Sequence, residues 1–533
     1  MKTPTVQSIL RTGVRTLMMT SLFVVAETCT NLTEVPHDAL TPATAFKTNA
    51  EIVAGVAGIY ANLRNIEWVG YITVNELTTD AMIVPTRGSD WYDNGQWLDL
   101  HRQTWTANSS GELAFVNGAW NDLFSGVAKS NLMIDVINNS TATQAKKDSS
   151  LAELRTLRAW YYYMLQDMFG GVPLVTTSAL KQYPRATRSQ IFAFIEKELL
   201  ESRASLPDRW DPSFRGRVTK GAANAILASL YLNAGVFNKD AGVNANSYNS
   251  CNVPVSGGKT GCQAAIDAAD AVINSGVYTL NPVWTQNFSP DNASSPENIF
   301  VIVHSPLQGL GGNFPMRTLH YNSLQTGWGG PWNGFATLAE TYAQFDSTDE
   351  RSAMWLAGPQ KSFTTGLPIN DRQGNPLSFT PFIADANSAG EGIGVRFNKF
   401  PPIPNATTGN GQPADFPFFR LAEMYLIKAE ALNELGQTGA AMTELNRIHN
   451  RHDAADPITG DIRTAILKER LLELTAEGKR RTDLIRNGMF LKQWSTTMAH
   501  GKTDKSAEGF RILFPIPAPQ IASNPLLSQN AGY

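Results

Sequence analysis

The feature of the chain that most constrains its fold is a recurrent three-four spacing of apolar residues. This spacing places apolar side chains on one face of a helix. The clearest stripe consists of Leu151, Leu154, Leu157, Tyr161, Leu165 and Met168, and two glycines follow it. Similar stretches lie near residues 51–64, 111–137, 190–206, 220–234 and 263–274. The pattern predicts a mainly α protein.

The C-terminal part of the chain repeats the pattern as a helix hairpin. Its two stripes consist of Leu421, Met424, Ile427, Ala431, Leu432 and Leu435, and then of Met442, Leu445 and Ile448. Gly436 lies between them and suits the left-handed residue that ends many helices. Asp461 can cap a third helix over residues 462–477, which Gly478 ends. Repeated helix pairs predict a tetratricopeptide-like scaffold, although no strict sequence period is visible.

Residues 281–416 have a different composition, rich in Gly, Pro, Asn, Ser and Thr with isolated aromatic residues. Such a composition is typical of loops. A second loop-like stretch covers residues 80–105. Loops carried on a rigid scaffold are common places for binding residues, because they vary while the scaffold fixes their position. We therefore expect residues 281–416 to form a large irregular lobe that binds a ligand.

The N-terminus has the pattern of a secretory signal. Three basic residues precede an apolar run over residues 17–26, which is too short to span a bilayer. Cys29 follows at the position where a lipoprotein signal places the thiol that becomes acylated. We predict a lipoprotein signal peptide over residues 1–28 and a lipid anchor at Cys29. Ordinary cleavage and a mis-set start codon are the alternatives, because Glu27 and Thr28 are unusual before such a cysteine.

Export also bears on the remaining cysteines and on the charge. Cys251 and Cys262 lie close together in a stretch rich in Gly, Asn and Ser, and an oxidising compartment would let them pair. Two free thiols in a loop are the alternative. The formal net charge is -3, and removal of residues 1–28 leaves about -5. No basic field exists to hold nucleic acid.

The candidate ligand-binding residues are aromatic side chains in the two loop-like stretches. They are Trp91, Tyr92, Trp97, Tyr321, Trp328 and Trp332. A ring in such a loop can present a flat apolar face to the C–H side of a sugar. Asn94, Arg87 and Asp80 could supply polar contacts nearby. The aromatic run Trp160–Tyr163 lies on a predicted helix instead, and we expect it to fill the core.

Acidic residues near the C-terminus do not have the pattern of an active site. Glu473 and Glu477 have Arg470 and Arg481 three or four residues away, and a nearby arginine lowers the pKa that a catalytic acid needs raised. We predict a structural network of exposed ion pairs and no catalytic residue. His449 and His452 lack a third ligand, so we expect surface histidines and no metal site. Glycines at 390, 392 and 394 lack the strand-to-helix context of a phosphate loop.

Four separated stretches resemble the SusD/RagB family of outer-membrane nutrient-binding lipoproteins. They are residues 158–163 (RAWYYY) with 169–175 (FGGVPLV), residues 419–431 (FRLAEMYLIKAEA), residues 469–486 (ERLLELTAEGKRRTDLIR), and the terminal FPIP, NP and QNAGY of residues 514–533. The departures are small. Gly171 stands where the family often has Asp, Ala531 where it often has Pro, and His449 where its helix commonly carries Val-Arg.

The resemblance implies tetratricopeptide-like helix pairs, in a helical region over residues 29–280 and another over 417–533, supporting the irregular lobe of residues 281–416. Members of the family bind glycans, or sometimes peptides, without a cofactor and without chemistry. They sit over a SusC-like TonB-dependent outer-membrane transporter. In the starch-binding namesake, aromatic residues of two comparable regions form the ligand platform, which implies a site on residues 80–105 and the 320s here.

The sequence therefore predicts a surface-exposed lipoprotein of the outer membrane that captures a glycan and delivers it to such a transporter. Two other functions remain open. A helical glycoside hydrolase would need two carboxylates at a defined separation in a cleft, and the sequence offers no candidate pair. A tetratricopeptide-like interaction scaffold without a small ligand would leave the aromatic loops unexplained.

Overall fold

The computed structural model describes residues 48–68, 70–108, 112–324, 330–404, 411–453, 457–494, 505–506 and 508–533. The predicted signal peptide, Cys29 and Trp328 lie outside these residues. No helix in the described ranges is both long enough and apolar enough to span a membrane.

Helices dominate the described chain. In order they are α1 (Asn49–Trp68), α2 (Tyr71–Leu77), α3 (Gln96–Arg102), α4 (Glu112–Asn138), α5 (Gln144–Phe169), α6 (Arg188–Ser202), α7 (Lys220–Leu232), α8 (Ala234–Phe237), α9 (Gly261–Ile273), α10 (Phe314–Thr318), α11 (Ala339–Tyr342), α12 (Leu421–Glu434), α13 (Thr438–Asp453), α14 (Ile462–Leu474), α15 (Arg480–Arg486) and α16 (Ala518–Ser523). The mainly α prediction is confirmed.

Strands are few and short, and they form antiparallel two-stranded ladders. They are β1 (Asn298–Ile302), β2 (Trp355–Leu356), β3 (Gly358–Pro359), β4 (Ser378–Phe379), β5 (Arg396–Phe397) and β6 (Phe416–Arg420). The pairs are β1 with β6, β2 with β5 and β3 with β4. The β1–β6 ladder joins the two ends of the predicted irregular lobe, so that both ends are fixed on the scaffold.

The helices pack as successive neighbours. Helix α4 packs on α1 and α5, α5 on α6, α7 on α9, α9 on α12, and α12 on α13. Close approach of α4 and α5 depends on Gly126, because a Cβ there would lie 2.2 Å from the ring of Tyr161. The Tyr161 hydroxyl donates to the carbonyl of Ile59 at 2.7 Å and ties α5 to α1. As expected, the rings of Trp160–Tyr163 are buried in the core.

Helices α12, α13 and α14 share a core of Ala422, Leu426, Ala429, Leu445, Ile448, Ile466 and Leu474. Leu445 and Ile448 belong to the predicted stripe of α13, whereas α12 contributes a face other than its predicted stripe, whose Met424 and Ile427 are buried outside this core. Asp461 caps α14 as predicted, since its Oδ2 accepts from the amide of Thr464 at 2.9 Å. Helix α14 ends at Leu474, three residues before the predicted end. The chain turns there through Ala476 at φ 65°, which directs the Glu477 carboxylate to Arg420 and Lys399.

The predicted pairing of the acidic cluster was wrong in its partners and in its exposure. Glu473 pairs with Arg420 and Arg351, whereas Arg470 pairs with Asp483. Arg481 pairs with Asp167. These groups are buried, because long arginines from β6, α14 and α15 meet inside the molecule. A structural network is present, as predicted, but it is an internal one.

The prediction of surface histidines was also wrong. His449 and His452 are each only 8% exposed. His449 lies 3.1 Å from Glu469, and His452 lies between Glu350 and Glu473 at 2.7 and 2.9 Å. Both side chains belong to the internal network, because they pair with Glu469 and Glu473 of α14, against which α13 packs.

The disulfide between Cys251 and Cys262 is present, with Cα atoms 4.9 Å apart. The bond closes the loop that leads into α9. Both cysteines are fully buried, so they are not free thiols in an exposed loop.

Candidate ligand-binding site

The structure brings the two loop-like stretches of the sequence together. Ile83 and Ala336 exchange backbone hydrogen bonds of 2.8 and 2.9 Å. Thr86 donates to Ala386 and accepts from Ala389, both at 2.9 Å. Residues far apart in the sequence therefore form one surface.

An aromatic cluster lies at the centre of this junction. The ring of Trp91 lies 5.1 Å from that of Trp97 and 5.8 Å from that of Phe335, and Trp97 lies 4.9 Å from Phe115. The Trp91 indole donates to the carbonyl of Trp332 at 2.6 Å. A Cβ on Gly334 would lie 2.4 Å from the Trp91 ring, so a glycine is required there. The cluster fixes the loop that carries Trp91.

Buried guanidinium groups hold the irregular backbone around the cluster. Arg87 donates to the carbonyls of Asn333 and Gly390 at 2.8 and 2.5 Å. Arg396 donates to the Asn333 side chain at 2.9 Å and to the carbonyl of Glu391 at 2.8 Å. Burial lowers the pKa of Arg87 to about 10, which still leaves it charged at neutral pH. These bonds satisfy carbonyls that no strand or helix would satisfy.

Strained backbone is concentrated in the same loops. Trp91, Asp93, Asn94 and Asn333 all have φ between 38° and 61°. A left-handed conformation is costly for a residue other than glycine, at about 1–3 kcal/mol each, and such strain often marks ligand-binding loops. The ring packing of Trp91 and the arginine bonds to Asn333 hold two of these residues in place.

Five side chains face outward around the cluster. Tyr92 is 57% exposed, Asn94 and Arg372 are exposed, and Tyr321 and Trp332 are half-buried. The Arg372 guanidinium lies 4.1 Å from the centre of the Tyr321 ring, and Arg317 lies 5.6 Å from that of Trp332. We call the group Tyr92, Asn94, Tyr321, Trp332 and Arg372 the loop platform.

A chain of charges fixes the polar part of the loop platform. Asp90 accepts from the Tyr321 hydroxyl at 2.5 Å and pairs with Arg372 at 2.9 Å. Arg372 also pairs with Glu391 at 2.5 Å, and Glu391 accepts from His320 at 2.8 Å. Burial raises the pKa of Glu391, but bonds from Arg372 and His320 outweigh it and leave the pKa below its usual value. Burial lowers the pKa of His320, which favours its neutral form.

Three of the predicted contact residues have internal roles instead. Asp80 pairs with Arg480 at 2.6 Å. Arg87 is 2% exposed and binds backbone, and Trp97 is 5% exposed and donates to Asp93 at 2.7 Å. Their polar groups bond to other residues of the protein, because the three side chains pack under the loops. Trp91 is half-buried with its indole N–H already bonded.

Tyr92, Asn94, Tyr321 and Trp332 remain available to a ligand, whereas Trp328 lies beyond the described ranges. Sequence reasoning missed Arg372, Glu391 and Asp90. Arg372 lies in the polar turn Asn370–Asn375, 282 residues from its partner Asp90, and no local signal links the two.

The arrangement suits binding of a neutral polar molecule with apolar faces. Aromatic rings are backed by fixed amide, carboxylate and guanidinium groups, which is the usual composition of a small-molecule site. Asp90 and Glu391 are each ion-paired with Arg372. Within the described part of the chain, no three His, Cys, Asp or Glu side chains are grouped as metal ligands would be.

Two family models match the chain. Residues 276–533 match the SusD family, and residues 39–232 match a family described as starch-binding and associating with the outer membrane. Together they cover most of the sequence.

Curated relatives match over nearly the same length. The starch-binding protein SusD of Bacteroides thetaiotaomicron is 25% identical over 507 residues, which cover 86% of this chain and 84% of that protein. A SusD-like protein of Formosa agariphila, P25, is 22% identical over 541 residues, covering 94% and 96% of the two chains.

Solved structures show the same fold. A laminarin-binding SusD-like protein aligns with a TM-score of 0.72 at 22% identity, covering 92% of this chain and 100% of the other. Surface glycan-binding protein A from Bacteroides thetaiotaomicron, in complex with laminarihexaose, aligns with a TM-score of 0.70 at 21% identity, covering 90% and 99%. The two family models, together with the curated relatives, place the chain in the SusD/RagB family.

Proposed function

We propose that this protein binds a glycan through the loop platform, at the outer surface of an outer membrane, and passes it to a TonB-dependent transporter. The observation that carries the proposal is the convergence of two distant loops into one rigid surface of aromatic and polar groups. Tyr92 is exposed, and Tyr321 and Trp332 are half-buried. A sugar ring stacks on such faces through its C–H side, while Asn94 and Arg372 can bond its hydroxyls.

The relatives support a glycan as the ligand class. One curated relative is named for starch binding and one solved neighbour for laminarin binding. The identities are low, and the loops that select a sugar differ most between relatives. We therefore propose a glycan as the class of ligand, and a binding screen identifies the individual sugar.

Binding without hydrolysis fits the state of the carboxylates. A glycosidase needs one carboxyl group whose pKa is raised so that it can donate a proton. At the loop platform the pKa of Glu391 is lowered instead, and Asp90 shares Arg372 with it. We propose that the protein is not an enzyme. Incubation with a retained glycan should produce no new reducing ends.

Membrane anchoring would come from acylation of Cys29, and the transporter would be a SusC-like partner. Anchoring beside a transporter raises the effective concentration of captured ligand, so moderate affinity is sufficient. Cys29→Ser should move the protein from the membrane fraction to the soluble fraction. A pull-down of the wild-type protein from detergent-solubilised outer membrane should recover a TonB-dependent transporter.

The binding test uses native gels that contain soluble glycans, with starch and laminarin among them, followed by titration calorimetry on any glycan that retards migration. Tyr92→Ala and Tyr321→Ala should each weaken binding about tenfold or more, because each removes roughly 1–2 kcal/mol of stacking contact. Tyr183→Ala is the matched control, since Tyr183 is half-buried outside the loop platform.

Retention that survives both platform variants would contradict the proposed site. A protein that binds none of the glycans but still recovers the transporter would favour the ligand-free scaffold.

A further inference from the structure

A cavity of about 540 Å³ shares no residue with the loop platform. It lies between the end of α5, the start of α6, the loop over residues 239–243 and the C-terminal tail. Its lining includes Gly170, Arg185, Arg188, Lys239, Asp240 and Phe510. The volume is within the usual range of small-molecule sites.

Arg188 is the unusual residue of this cavity. It is 6% exposed, and its Nε is buried without a hydrogen-bond partner. Among the described residues its guanidinium makes no ion pair, and it lies 5.0 Å from the centre of the Phe237 ring. Burial lowers its pKa to about 10, so it is still charged at neutral pH. A buried charge without a partner is costly, so the protein gains stability from any anion that pairs with it.

The other cations of the cavity also lack a carboxylate partner. Arg185 donates to the carbonyls of Gly171 and Ser528 at 2.7 and 3.1 Å and to the Asn530 side chain, which are neutral groups. Lys239, half-buried at the same cavity, forms no ion pair within the described chain. The lining is therefore cationic around Arg188.

Asp240 is the single carboxylate among the described lining residues, and it is engaged elsewhere. Its two oxygens accept from the amide and hydroxyl of Ser189 at 2.8 and 3.0 Å. Hydrogen bonds from Ser189 lower the pKa of Asp240. Deeper in the molecule, the charge of Asp167 raises the pKa of Arg188, but Asp167 forms its ion pair with Arg481 and not with Arg188. The described lining therefore carries one negative charge, on Asp240, and three positive charges, on Arg185, Arg188 and Lys239.

We propose that this cavity binds a small oxyanion, of the carboxylate or sulfate type, held by Arg188 and Lys239. A guanidinium pairs with two oxygens of such a group, and an ammonium adds a point charge. The cavity has room for an acidic monosaccharide around the charged group.

The test is titration calorimetry of the full mature chain with sodium sulfate and, separately, with sodium glucuronate, at an ionic strength matched with sodium chloride. One saturable site is expected. Lys239→Gln and Arg188→Gln should each weaken it about tenfold or more, as loss of a charge-assisted bond would. Lys146→Gln, an exposed lysine on α5, is the matched control and should bind as the wild type does.

The two ligands distinguish the sources of the anion. Tighter binding of glucuronate would identify the ligand of the cavity as an acidic sugar. Tighter binding of sulfate would identify it as a free oxyanion. Absence of saturable binding, or equal affinity in the wild type and Lys239→Gln, would overturn the proposal, and the lysine variant decides it even if Arg188→Gln does not fold. Because neither probe needs the loop platform, this result is independent of the glycan test.

Discussion

The C-terminal network and the loop platform use arginine in opposite ways. In the network, Arg420 pairs with Glu297, Glu473 and Glu477, all of them buried, so charge is neutralised by charge. Beneath the platform, Arg87 and Arg396 donate mainly to backbone carbonyls and bring no carboxylate with them. The first arrangement joins helices that already have their own hydrogen bonds. The second replaces the hydrogen bonds that irregular loops lack, which gives rigid loops without regular secondary structure.

The largest effect is expected where the network loses its central cation. Arg420→Met would leave three buried carboxylates short of a partner, at a cost of about 3–5 kcal/mol in the free energy of unfolding. Urea unfolding followed by circular dichroism measures this. Arg447→Met is the control, because Arg447 pairs with Glu444 at the surface and should cost about 1 kcal/mol or less. Equal losses in the two variants would break the distinction between an internal network and surface pairs.

A buried acid at the edge of the network gives the second effect. Glu76 accepts from the amide of Gly478 at 2.5 Å, its Oε2 is buried without a partner, and burial raises its pKa from 4.5 to about 7. The folded protein thus holds this proton more tightly than the unfolded chain does. The contribution to stability is complete below pH 4.5 and is lost as the pH rises through about 7.

Glu76→Gln keeps the neutral form at every pH. Relative to wild type, the variant should gain roughly 2–3 kcal/mol between pH 4.5 and pH 8, measured as the difference in urea unfolding. The difference between variant and wild type cancels the contributions of the other carboxylates. Their lowered pKa values change the free energy of unfolding with pH in the opposite direction. A difference that stays constant with pH would show that folding does not raise the pKa of Glu76.

The third effect concerns the support of the platform. Gly334→Ala would place a Cβ 2.4 Å from the Trp91 ring, so the ring must move. We expect a loss of about 1–3 kcal/mol in unfolding free energy and several-fold weaker glycan binding. Gly439→Ala on α13 is the control, since a Cβ there meets no atom within 4 Å. Unchanged binding in Gly334→Ala would show that the position of Trp91 does not matter to the ligand.

The smallest effect on stability is expected from Arg372→Gln. The side chain is 47% exposed and its ion pairs with Asp90 and Glu391 are partly solvated, so unfolding should change by about 1 kcal/mol or less. Glycan affinity should fall more than stability does, because Arg372 also orients Tyr321. Parallel losses of stability and affinity would instead make Arg372 a general support of the loops.

Local signals account for the parts of the fold that the sequence predicted well. The α12–α13 hairpin and the Asp461 cap depend on spacing and capping within a few residues. The end of α14 was missed because Glu477 is drawn to Arg420 and Lys399, which are 57 and 78 residues away. Contacts between residues so far apart in the sequence leave no local pattern in it.

The candidate site shows the same limit. Loop composition identified the two stretches that meet, but not which of their rings would be covered. Trp97 is buried because Trp91, Phe115 and Phe335 surround it, whereas Tyr92 five residues earlier stays exposed. Burial of a loop residue depends on distant partners, and only the structure provides them.

The most direct test of the account is a crystal structure with the glycan that the protein retains in native gels. The account predicts sugar rings stacked on Tyr92, Tyr321 or Trp332, with hydroxyls bonded to Asn94 or Arg372 and the loops unmoved. Density for the glycan away from these residues, in the Arg188 cavity or on the helical scaffold, would contradict the central claim.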